Sequence, residues 1–324
     1  MLAEIVDVLE NLEKTIITSH ERPDGDAIGS AIALGKGLAS LGIEVSIVME
    51  DPVPLVYSFL KGIESILLPS SLTKTPESII VLDCTEWERT GSLSKRFNPP
   101  LIINIDHHVS NKLFATYNWV DSNAPATGAM VYKILCALGV DITEDIASAL
   151  YTALATDTGF FQHANTCQEA FFCAAQLVAK GAKPNYISQQ IHENRSLESL
   201  KILGLCLNSL QVSPGGKVAW VELPLSVTAD LDIKEEHLDG LVNYPKSVAG
   251  VEVGLFFHQI NSGQVRVGFR SKNYVDVNEI AEHFQGGGHK RAAGCIIEGE
   301  WQEVVTRVVQ MAREKAGETS SWMD

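Results

Sequence analysis

Short apolar runs alternate with amphipathic helical patterns through the first half of the chain. Between residues 28 and 41, apolar residues keep helical spacing up to Gly42. The runs themselves are continuous, as in strands buried on both faces of a parallel sheet, and they are TIITS at 15–19, EVSIVM at 44–49, SIIVL at 78–82 and LIINI at 101–105. This βαβ rhythm predicts a doubly wound α/β domain with a parallel sheet.

The pattern changes twice in the second half. From about residue 126 to 212 it is helical, and it includes LESLKILGLCLNSL at 197–210. After the turn SPGGK, the segments VAWVEL, VEVGLFFHQI and QVRVGFR read as strands, and VNEIAEHF and WQEVVTRVVQMAREK read as helices. We therefore predict a first domain over 1–190, a helical connector over 191–213, a smaller α/β domain over 214–318 and a tail over 319–324.

Composition limits the class of protein. With 324 residues, 45% hydrophobic and 20% charged, the chain is globular and long enough for two cores. The acidic N-terminus, the absence of long apolar runs and six scattered cysteines predict a cytoplasmic protein with reduced thiols and no membrane partner. A net charge of −15 argues against a nonspecific nucleic-acid coat. It leaves phosphorylated substrates open, because bound metal ions can reverse a local field.

Histidines and acids stand where the predicted strands end. Ligands of open α/β sheets bind outside the carboxyl ends of the strands, so these side chains are expected at one sheet edge. Asp157, which continues the buried face of a predicted helix, is expected to join them. The strand-end residues are His20, Asp24 and Asp26 in H-x-x-x-D-x-D order, Asp83, and Asp106, His107 and His108 in sequence.

Each of these residues also has an ordinary structural explanation. Asp26 suits a helix N-cap, Asp24 suits a turn and Asp157 suits a helix end. These explanations treat every acid separately and leave the histidines at the strand ends unexplained. Imidazole and carboxylate without thiolate suit Mn²⁺, with Mg²⁺, Co²⁺, Fe²⁺ or Zn²⁺ as alternatives. The groups exceed what one ion can use, whereas two bridged ions would use them and hydrolyse a phosphoester.

The order of these motifs resembles the DHH phosphoesterase superfamily. In residues 271–294, the segment SKNYVDVNEIAEHFQGGGHKRAAG is similar to the DHHA1 substrate domain, which is marked by its glycine-rich loop. The resemblance covers essentially the whole chain, and within the superfamily it is greatest to bacterial nano-RNases (oligoribonucleases) and pAp phosphatases. It implies an N-terminal DHH domain, a helical connector and a C-terminal DHHA1 domain.

The resemblance also implies a role for each motif residue. His108 would act on the substrate, as ligand or general acid, and Asp106 would orient the histidines. Two Mn²⁺ ions are implied, with Mg²⁺ or Co²⁺ as alternatives. The implied ligands are His20, Asp24 and a bridging Asp83 for one ion, and Asp26, Asp83, His107 and Asp157 for the other.

Residues expected to bind the substrate lie in the second domain. The consecutive glycines 286–288 let backbone N–H groups approach a phosphate closely, and His289 follows them. Arg266 and Arg270 share one face of a predicted strand, and the resemblance assigns Arg270 with Ser271 to the substrate. We expect these groups to hold a terminal phosphate or the first nucleotides across a cleft from the metals.

The expected function is a Mn²⁺-dependent exonuclease that degrades short RNA, or short DNA, oligonucleotides to mononucleotides and dephosphorylates 3′-phosphoadenosine 5′-phosphate (pAp). One alternative is a phosphodiesterase acting on linear or cyclic dinucleotides such as pApA. A RecJ-type exonuclease and an inorganic pyrophosphatase fit the second domain less well. A non-catalytic RNA-binding module is the alternative from another class. The oligomeric state stays open, with a homodimer among the options.

Overall fold

The computed structural model describes residues 1–228, 231, 233–234, 237–238 and 240–318. The contacts divide the chain into two compact units, Met1–Asn194 and Arg195–Asp324. The helix predicted as a connector belongs to the second unit, and the predicted tail over 319–324 lies outside the described residues. Among the residues described, no helix combines the length and apolar character needed to cross a bilayer.

The first unit is an α/β layer structure built on a parallel sheet. Its strands are β1 Lys14–Thr18, β2 Glu44–Ile47, β3 Ser78–Leu82, β4 Leu101–Asp106 and β5 Tyr117–Val120. Its α-helices are α1 Leu2–Glu10, α2 Gly25–Ser40, α3 Ser92–Arg96, α4 Thr127–Ala137, α5 Glu144–Asp157, α6 Gln168–Ala179 and α7 Pro184–His192.

The sheet order of the first unit is β2-β1-β3-β4-β5, with every pair parallel. The predicted doubly wound α/β fold is confirmed, and the central strand β3 is buried over its whole length. From β1 the chain adds β2 on one side of the sheet, and it then adds β3, β4 and β5 on the other side. The boundary between β1 and β3 is therefore the topological switch point, where such folds bind ligands. The carboxyl ends of β1, β3 and β4 therefore lie side by side. Strand β5 was not predicted.

Helices α2 and α5 pack unusually closely in the first unit. A Cβ atom on Gly29 of α2 would lie only 2.4 Å from the carbonyl oxygen of Ala149 on α5. At the start of α2, a Cβ atom on Gly25 would lie 2.4 Å from the side-chain Oγ1 of Thr156, near the end of α5. The two glycines thus bring the N-terminal end of α2 against the C-terminal end of α5, and the predicted ligands Asp26 and Asp157 lie at these ends.

The second unit contains a mixed sheet in the order β10-β11-β9-β8-β7-β6. Its strands are β6 Gln211–Val212, β7 Val218–Leu223, β8 Val253–Asn261, β9 Gln264–Ser271, β10 Gly287–His289 and β11 Ala292–Glu298. Its α-helices are α8 Leu197–Asn208, α9 Leu225–Thr228, α10 Asn243–Ser247, α11 Val277–His283 and α12 Trp301–Lys315. The sequence predicted β7, β8 and β9 with α8, α11 and α12, and the second α/β domain is confirmed.

The glycine-rich segment of the second unit forms an edge hairpin. Gly287–His289 is strand β10, and it pairs antiparallel with β11 through Gly288 opposite Ala293 and His289 opposite Ala292. The sequence indicated a loop here, because consecutive glycines are typical of loops. The hairpin forms because β11 pairs in turn with β9 and so presents a strand edge to the glycines.

Candidate metal centre

Three neighbouring parallel strands place the candidate residues at one end of the first sheet. His20 follows β1, Asp83 follows β3, and β4 ends at Asp106 ahead of His107 and His108. Asp83 is held with φ +53°, a conformation that non-glycine residues rarely adopt, while its N–H donates to the carbonyl of Ile105. This turn directs the chain away from the sheet at its edge and is the kind of local strain found at functional sites.

The structure brings all six predicted metal ligands and His108 together. They fall into three overlapping groups, and within each group the potential ligand atoms lie within 4.8 Å of one another. The groups are His20 with Asp24 and Asp83, Asp26 with His107 and Asp157, and Asp83 with His107 and His108.

Asp83 occupies the centre of this arrangement. Its Oδ2 lies 3.7 Å from Nε2 of His20, and its Oδ1 lies 3.6 Å from Nε2 of His107. Burial raises the pKa of the Asp83 carboxyl, but its interaction with His20 and the charges of His108 and His107 lower it below its ordinary range. One ionised carboxylate therefore faces two imidazoles through two different oxygens, which is the arrangement a bridging ligand requires.

The surroundings of the His107 ring show whether a cation fits the site. Its Nδ1 lies 3.3 Å from the carbonyl oxygen of Ala124, and its buried Nε2 has no hydrogen-bond partner among the described residues. That Nε2 lies 3.9, 3.6 and 3.6 Å from carboxylate oxygens of Asp26, Asp83 and Asp157. These separations are too long for hydrogen bonds, but they suit ligands that each lie about 2.1 Å from a shared cation. The donor set thus fits a metal ion.

Asp26 is buried and held by backbone donors from the start of α4. Its Oδ2 accepts a hydrogen bond of 2.7 Å from the N–H of Thr127, and its Oδ1 accepts one of 2.8 Å from that of Gly128. Burial, followed by the charges of Asp83 and Asp157, raises the pKa of Asp26 well above its ordinary value. Protonation competes with metal binding at such a carboxyl, so a cation would displace a proton there.

The N-cap role considered for Asp26 belongs instead to Asp24. The Oδ1 of Asp24 accepts hydrogen bonds from the N–H groups of Asp26 and Ala27 at 3.0 and 3.1 Å. These bonds fix the exposed Asp24 carboxylate at the start of α2. A capping role and a ligand role are compatible, because a carboxylate has a second oxygen.

Asp106 orients the two histidines that follow it. Its Oδ1 accepts from the N–H of His107 at 2.8 Å and contacts Nδ1 of His108 at 2.7 Å, and its Oδ2 accepts from Asn111 at 2.6 Å. Burial alone would lower the pKa of His108, but the Asp106 hydrogen bond and the charge of Asp83 raise it to about 9. The His108 ring is therefore fixed and favoured in its protonated form.

Asp157 is held at the end of α5 by an asparagine. Asn165 donates through Nδ2 to Oδ2 of Asp157 at 2.9 Å and to the Asp157 carbonyl at 3.2 Å. The next turn contains Gly159, Phe160 and Phe161, all with positive φ of 57°, 55° and 65°. Burial raises the pKa of Asp157 to about 6, and the positive charge of His107 opposes this. The turn and the asparagine together aim this carboxylate at His107.

Sequence reasoning missed several residues that hold the ligands. Thr127 also donates from Oγ1 to Asp83 at 3.1 Å, so α4 contacts two ligands. A Thr-Gly pair that opens a helix is a usable sequence signal for such a contact, because the first N–H groups of a helix are available to an anion. Asn111 and Asn165 carry no local pattern that distinguishes them from ordinary loop asparagines.

The candidate substrate residues lie in the second unit, where β9, β11 and β10 are adjacent. Arg270 is half-buried and donates to the carbonyl of Phe269 at 3.0 Å. Ser271 is buried, and its hydroxyl donates to the carbonyl of Val275 at 2.7 Å and accepts from Arg291 at 3.4 Å. Its side chain thus holds the adjacent loop, and contact with substrate through Ser271 stays a prediction.

The three glycines of the edge hairpin differ in their surroundings. A Cβ on Gly286 would lie 2.3 Å from the carbonyl oxygen of Gly294, and one on Gly288 would lie 2.5 Å from that of Ala292. Gly287 has nothing within 4 Å. Strand packing therefore requires two of the glycines, and only Gly287 has open space in front of it. Exposed His289 and half-buried Arg266 lie on neighbouring parts of the same sheet.

Comparison with known proteins follows this division of the chain. Residues 14–154 match the DHH family, N-terminal domain, and residues 216–318 match the DHHA1 domain. The bifunctional oligoribonuclease and PAP phosphatase NrnA of Thermus thermophilus is 32% identical over 313 residues, covering 96% of this chain and 93% of that protein.

Two solved structures extend the comparison. An exopolyphosphatase-related protein from Bacteroides fragilis superposes with a TM-score of 0.91 and 27% identity, covering 97% of this chain and 95% of that one. RecJ of Thermus thermophilus in complex with Mn²⁺ gives a TM-score of 0.55 and 16% identity, covering 99% of this chain and 55% of that one, and shows the fold alone.

The fold and the site are those of a phosphoesterase whose potential metal ligands are carboxylates and imidazoles, most of them at the carboxyl ends of parallel strands. The chain belongs to the DHH family and carries the DHHA1 domain.

Proposed function

We propose that this phosphoesterase uses two Mn²⁺ ions to remove mononucleotides from short RNA oligomers and to dephosphorylate pAp. The observation that carries the proposal is the central position of Asp83, whose two oxygens face His20 and His107. The Thermus relative, named a bifunctional oligoribonuclease and PAP phosphatase, supports both substrates. Mg²⁺ or Co²⁺ would fit the same imidazole and carboxylate donors.

The residues present would hold the ions in two overlapping sets. His20, Asp24 and Asp83 would hold one, and Asp83 would share the other with three further ligands, namely Asp26, His107 and Asp157. When bound, the ions would neutralise the charge of a phosphoryl group and supply an activated water for in-line attack. The backbone donors of α4 would orient the Asp26 carboxylate for its ion.

His108 would act on the leaving group. Its Nδ1 is held by Asp106 at 2.7 Å, and the charge of that buried carboxylate favours the protonated ring. A proton given to the oxygen of the departing nucleotide would lower the barrier to P–O cleavage. Asp106 would stabilise the imidazolium without touching the substrate, as a positioning residue.

Short RNA, short DNA and nucleotides are the proposed partners, and the cytoplasm is the proposed compartment. Every cysteine in the chain is free, and Cys84, Cys173, Cys206 and Cys295 are buried as thiols. Reduced, unpaired cysteines are typical of proteins that stay in a reducing compartment.

A substrate panel tests the proposal. Purified protein with Mn²⁺ would be offered pAp, pApA, cyclic dinucleotides, RNAs of graded length and pyrophosphate, and released nucleotides would be quantified. We expect pAp and RNAs of about two to five nucleotides to be turned over fastest. The control is Asp83→Asn, which should be inactive on every substrate while its circular dichroism is unchanged.

Preference for pyrophosphate or cyclic dinucleotides by a factor of about ten or more in kcat/KM would contradict the proposed substrates. Binding of oligonucleotides without hydrolysis of any member of the panel would contradict the enzymatic proposal and favour an RNA-binding module. A surface variant such as Asp141→Asn should behave as the wild type throughout, since Asp141 is exposed and belongs to none of the ligand groups.

A further inference from the structure

The loop between His20 and Asp24 contains an arginine with a strained backbone. Arg22 has a φ of +54°, which residues other than glycine rarely adopt. It also precedes Pro23, and the ring of a proline restricts the residue before it to extended conformations. Glycine would adopt this backbone at a lower cost, so a long cationic side chain at this position calls for a functional explanation.

The surrounding structure fixes the loop on both sides of Arg22. The N–H of Arg22 donates to Oδ2 of Asp51 at 2.7 Å, and the N–H of Glu21 donates to the carbonyl of Arg89 at 2.7 Å. Pro23, which follows, is buried. These contacts hold the backbone of Arg22 in its strained conformation, as is found where strain serves a functional site.

The guanidinium of Arg22 is exposed and has no counterion. Among the residues that the structure describes, none places a carboxylate oxygen within 4.0 Å of it, and none accepts a hydrogen bond from it. Arg96 of the same unit differs, because its two terminal nitrogens donate to the carbonyls of Pro69 and Leu72 at 2.8 and 2.9 Å. Arg22 therefore offers a complete set of guanidinium donors to a ligand.

Arg22 lies between two predicted ligands of the same ion. It is two residues from His20 and two from Asp24, so its Cα lies within about 7.6 Å of the Cα of each. The aspartates among the predicted ligands and Asp106 carry more negative charge than two divalent ions would balance, and a protonated His108 would balance the remainder. A phosphoryl group brings further negative charge, which a cation beside the site would stabilise.

We propose that Arg22 is a catalytic residue that binds the non-bridging oxygens of the phosphoryl group at the metal centre. A guanidinium presents paired N–H donors that match two phosphate oxygens, and it is always charged. Negative charge spreads over the equatorial oxygens of a phosphoryl group during transfer, so a fixed cation there stabilises the transition state. This inference rests on the metal-assisted part of the proposed function and not on its choice of substrates.

The test compares a minimal ester, bis-p-nitrophenyl phosphate, with pAp. kcat/KM would be measured with Mn²⁺ for the wild type, Arg22→Ala, Arg22→Lys and Arg22→Gly. We expect Arg22→Ala to lower kcat/KM about 10²–10³-fold on both substrates, because both place a phosphoryl group at the metal centre. Arg22→Lys should fall between Arg22→Ala and the wild type, since lysine keeps the charge but not the paired donors.

Stability and binding distinguish this role from a structural one. Arg22→Gly removes the strain together with the guanidinium, so it should raise the midpoint of thermal unfolding by about 2 °C and be as inactive as Arg22→Ala. Calorimetry should show unchanged Mn²⁺ binding in both variants, and about tenfold weaker binding of inorganic phosphate to the Mn²⁺-loaded protein. The control is Leu113→Gly, because Leu113 is also exposed with a φ of +51°, and this variant should be stabilised and fully active.

Wild-type kcat/KM of Arg22→Ala on bis-p-nitrophenyl phosphate would overturn the inference, and so would a loss confined to pAp, which would place Arg22 at another part of the substrate. Loss of an Mn²⁺ equivalent or a lower thermal midpoint in Arg22→Gly would also overturn it, because the side chain would then support the loop itself. If bis-p-nitrophenyl phosphate is hydrolysed in an Arg22-dependent way but pAp and short RNA are not hydrolysed, the proposed substrates fail and the inference stands.

Discussion

His108 shows how a single residue can be assigned by its partners. Its Nδ1 is 2.7 Å from Asp106, which is fully buried and also accepts from Asn111. Its ring packs edge-on against that of His107, with 4.6 Å between centroids, yet only His107 points a partnerless Nε2 at three carboxylates of the described residues. Two adjacent histidines of the same motif therefore meet different surroundings and suit different tasks.

Replacing His108 by Ala should separate these tasks. We expect His108→Ala to keep both metal equivalents and lose about 10²–10⁴ in kcat, the usual contribution of one positioned acid. His107→Ala is the matched comparison, because it should lose metal as well as turnover. Metal content by mass spectrometry and steady-state kinetics would be measured on both variants. Loss of one metal equivalent from His108→Ala would instead make His108 a ligand.

Asn165 is the second residue whose position leads to a prediction. Its Nδ2 donates to the carboxylate of Asp157 at 2.9 Å and to the carbonyl of Pro125 at 2.9 Å. Removing it in Asn165→Ala should weaken Mn²⁺ binding about 10- to 100-fold, the usual effect of losing a group that orients a metal ligand. Calorimetric titration with Mn²⁺ would measure this, with the exposed Asn194→Ala as control. Unchanged affinity in Asn165→Ala would show that Asp157 needs no such support.

Residues differ in how far the sequence predicts them. The ligands at the strand ends could be predicted, because neighbouring parallel strands present their carboxyl ends at one edge. Thr127 could not be assigned in the same way, since it contacts Asp26 across 101 residues of sequence, and only the packing of α4 on the sheet edge creates that contact. Asn165 likewise acquires its role from the turn after α5.

At the scale of elements, the packing of α2 on α5 sets the distance between two predicted ligands. Gly29→Ala would place a Cβ 2.4 Å from the carbonyl oxygen of Ala149, and backbone cannot yield cheaply. We expect a loss of about 1–3 kcal/mol in the free energy of unfolding, together with weaker Mn²⁺ binding as the ends of α2 and α5 separate. Urea denaturation and metal titration would measure the two effects.

Gly204→Ala is the control for this substitution. Gly204 lies within α8, and a Cβ there would have nothing within 4 Å, so alanine should be neutral or raise stability by up to about 1 kcal/mol through helix propensity. If Gly29→Ala were as stable as Gly204→Ala and bound Mn²⁺ normally, close contact of the two helices would not be what positions the site.

A buried carboxylate organises one loop of the second unit and makes its stability depend on pH. Glu252 is 2% exposed, and although burial raises its pKa, the hydrogen bonds from the N–H groups of Val275, Asn273 and Tyr274 lower it below 4.5. Because the folded pKa is depressed, the stabilisation is complete above the ordinary value of 4.5 and is lost as the pH falls through the folded value.

Glu252→Gln should therefore lower the free energy of unfolding by about 1–3 kcal/mol at pH 7. The difference from the wild type should shrink as the pH falls below 4.5, because the wild-type carboxyl then becomes neutral too. Denaturant titrations from about pH 7 to about pH 3 would show this, with Glu298→Gln, an exposed acid on β11, as control. A difference that stayed constant across this range would contradict the ionic role of Glu252.

Elements with a clear apolar pattern could be predicted from the sequence, and the edge hairpin could not. Strands β1 and β3 are continuous apolar runs, and their core positions follow directly from the pattern. Strand β10 consists of Gly287, Gly288 and His289, which have low strand propensity and pair only because β11 offers an edge. Tertiary pairing overrides local preference at that position.

At the scale of the whole molecule, the acidic metal-ligand groups and the basic residues around β9 lie in different units of the chain. The predicted metal ligands all lie in Met1–Asn194 and are mostly acids, whereas Lys246 and Arg270 lie in Arg195–Asp324. The net charge of −15 conceals local positive charge, because Lys246 on α10 packs on Gly254 of β8, and Gly254 lies opposite Arg270 on β9. Overall charge thus argues against nonspecific nucleic-acid binding, and local charge supports recognition of a phosphate.

The central claim is that two ions occupy overlapping ligand sets centred on Asp83. Anomalous diffraction from crystals grown with Mn²⁺, recorded above and below the manganese edge, tests it most directly. We predict two anomalous peaks about 3.5–4 Å apart, with Asp83 in contact with both and His20 and His107 each in contact with one. Crystals of Asp83→Asn should lose at least one peak. A single peak in the wild type, or two peaks that do not share Asp83, would contradict the account.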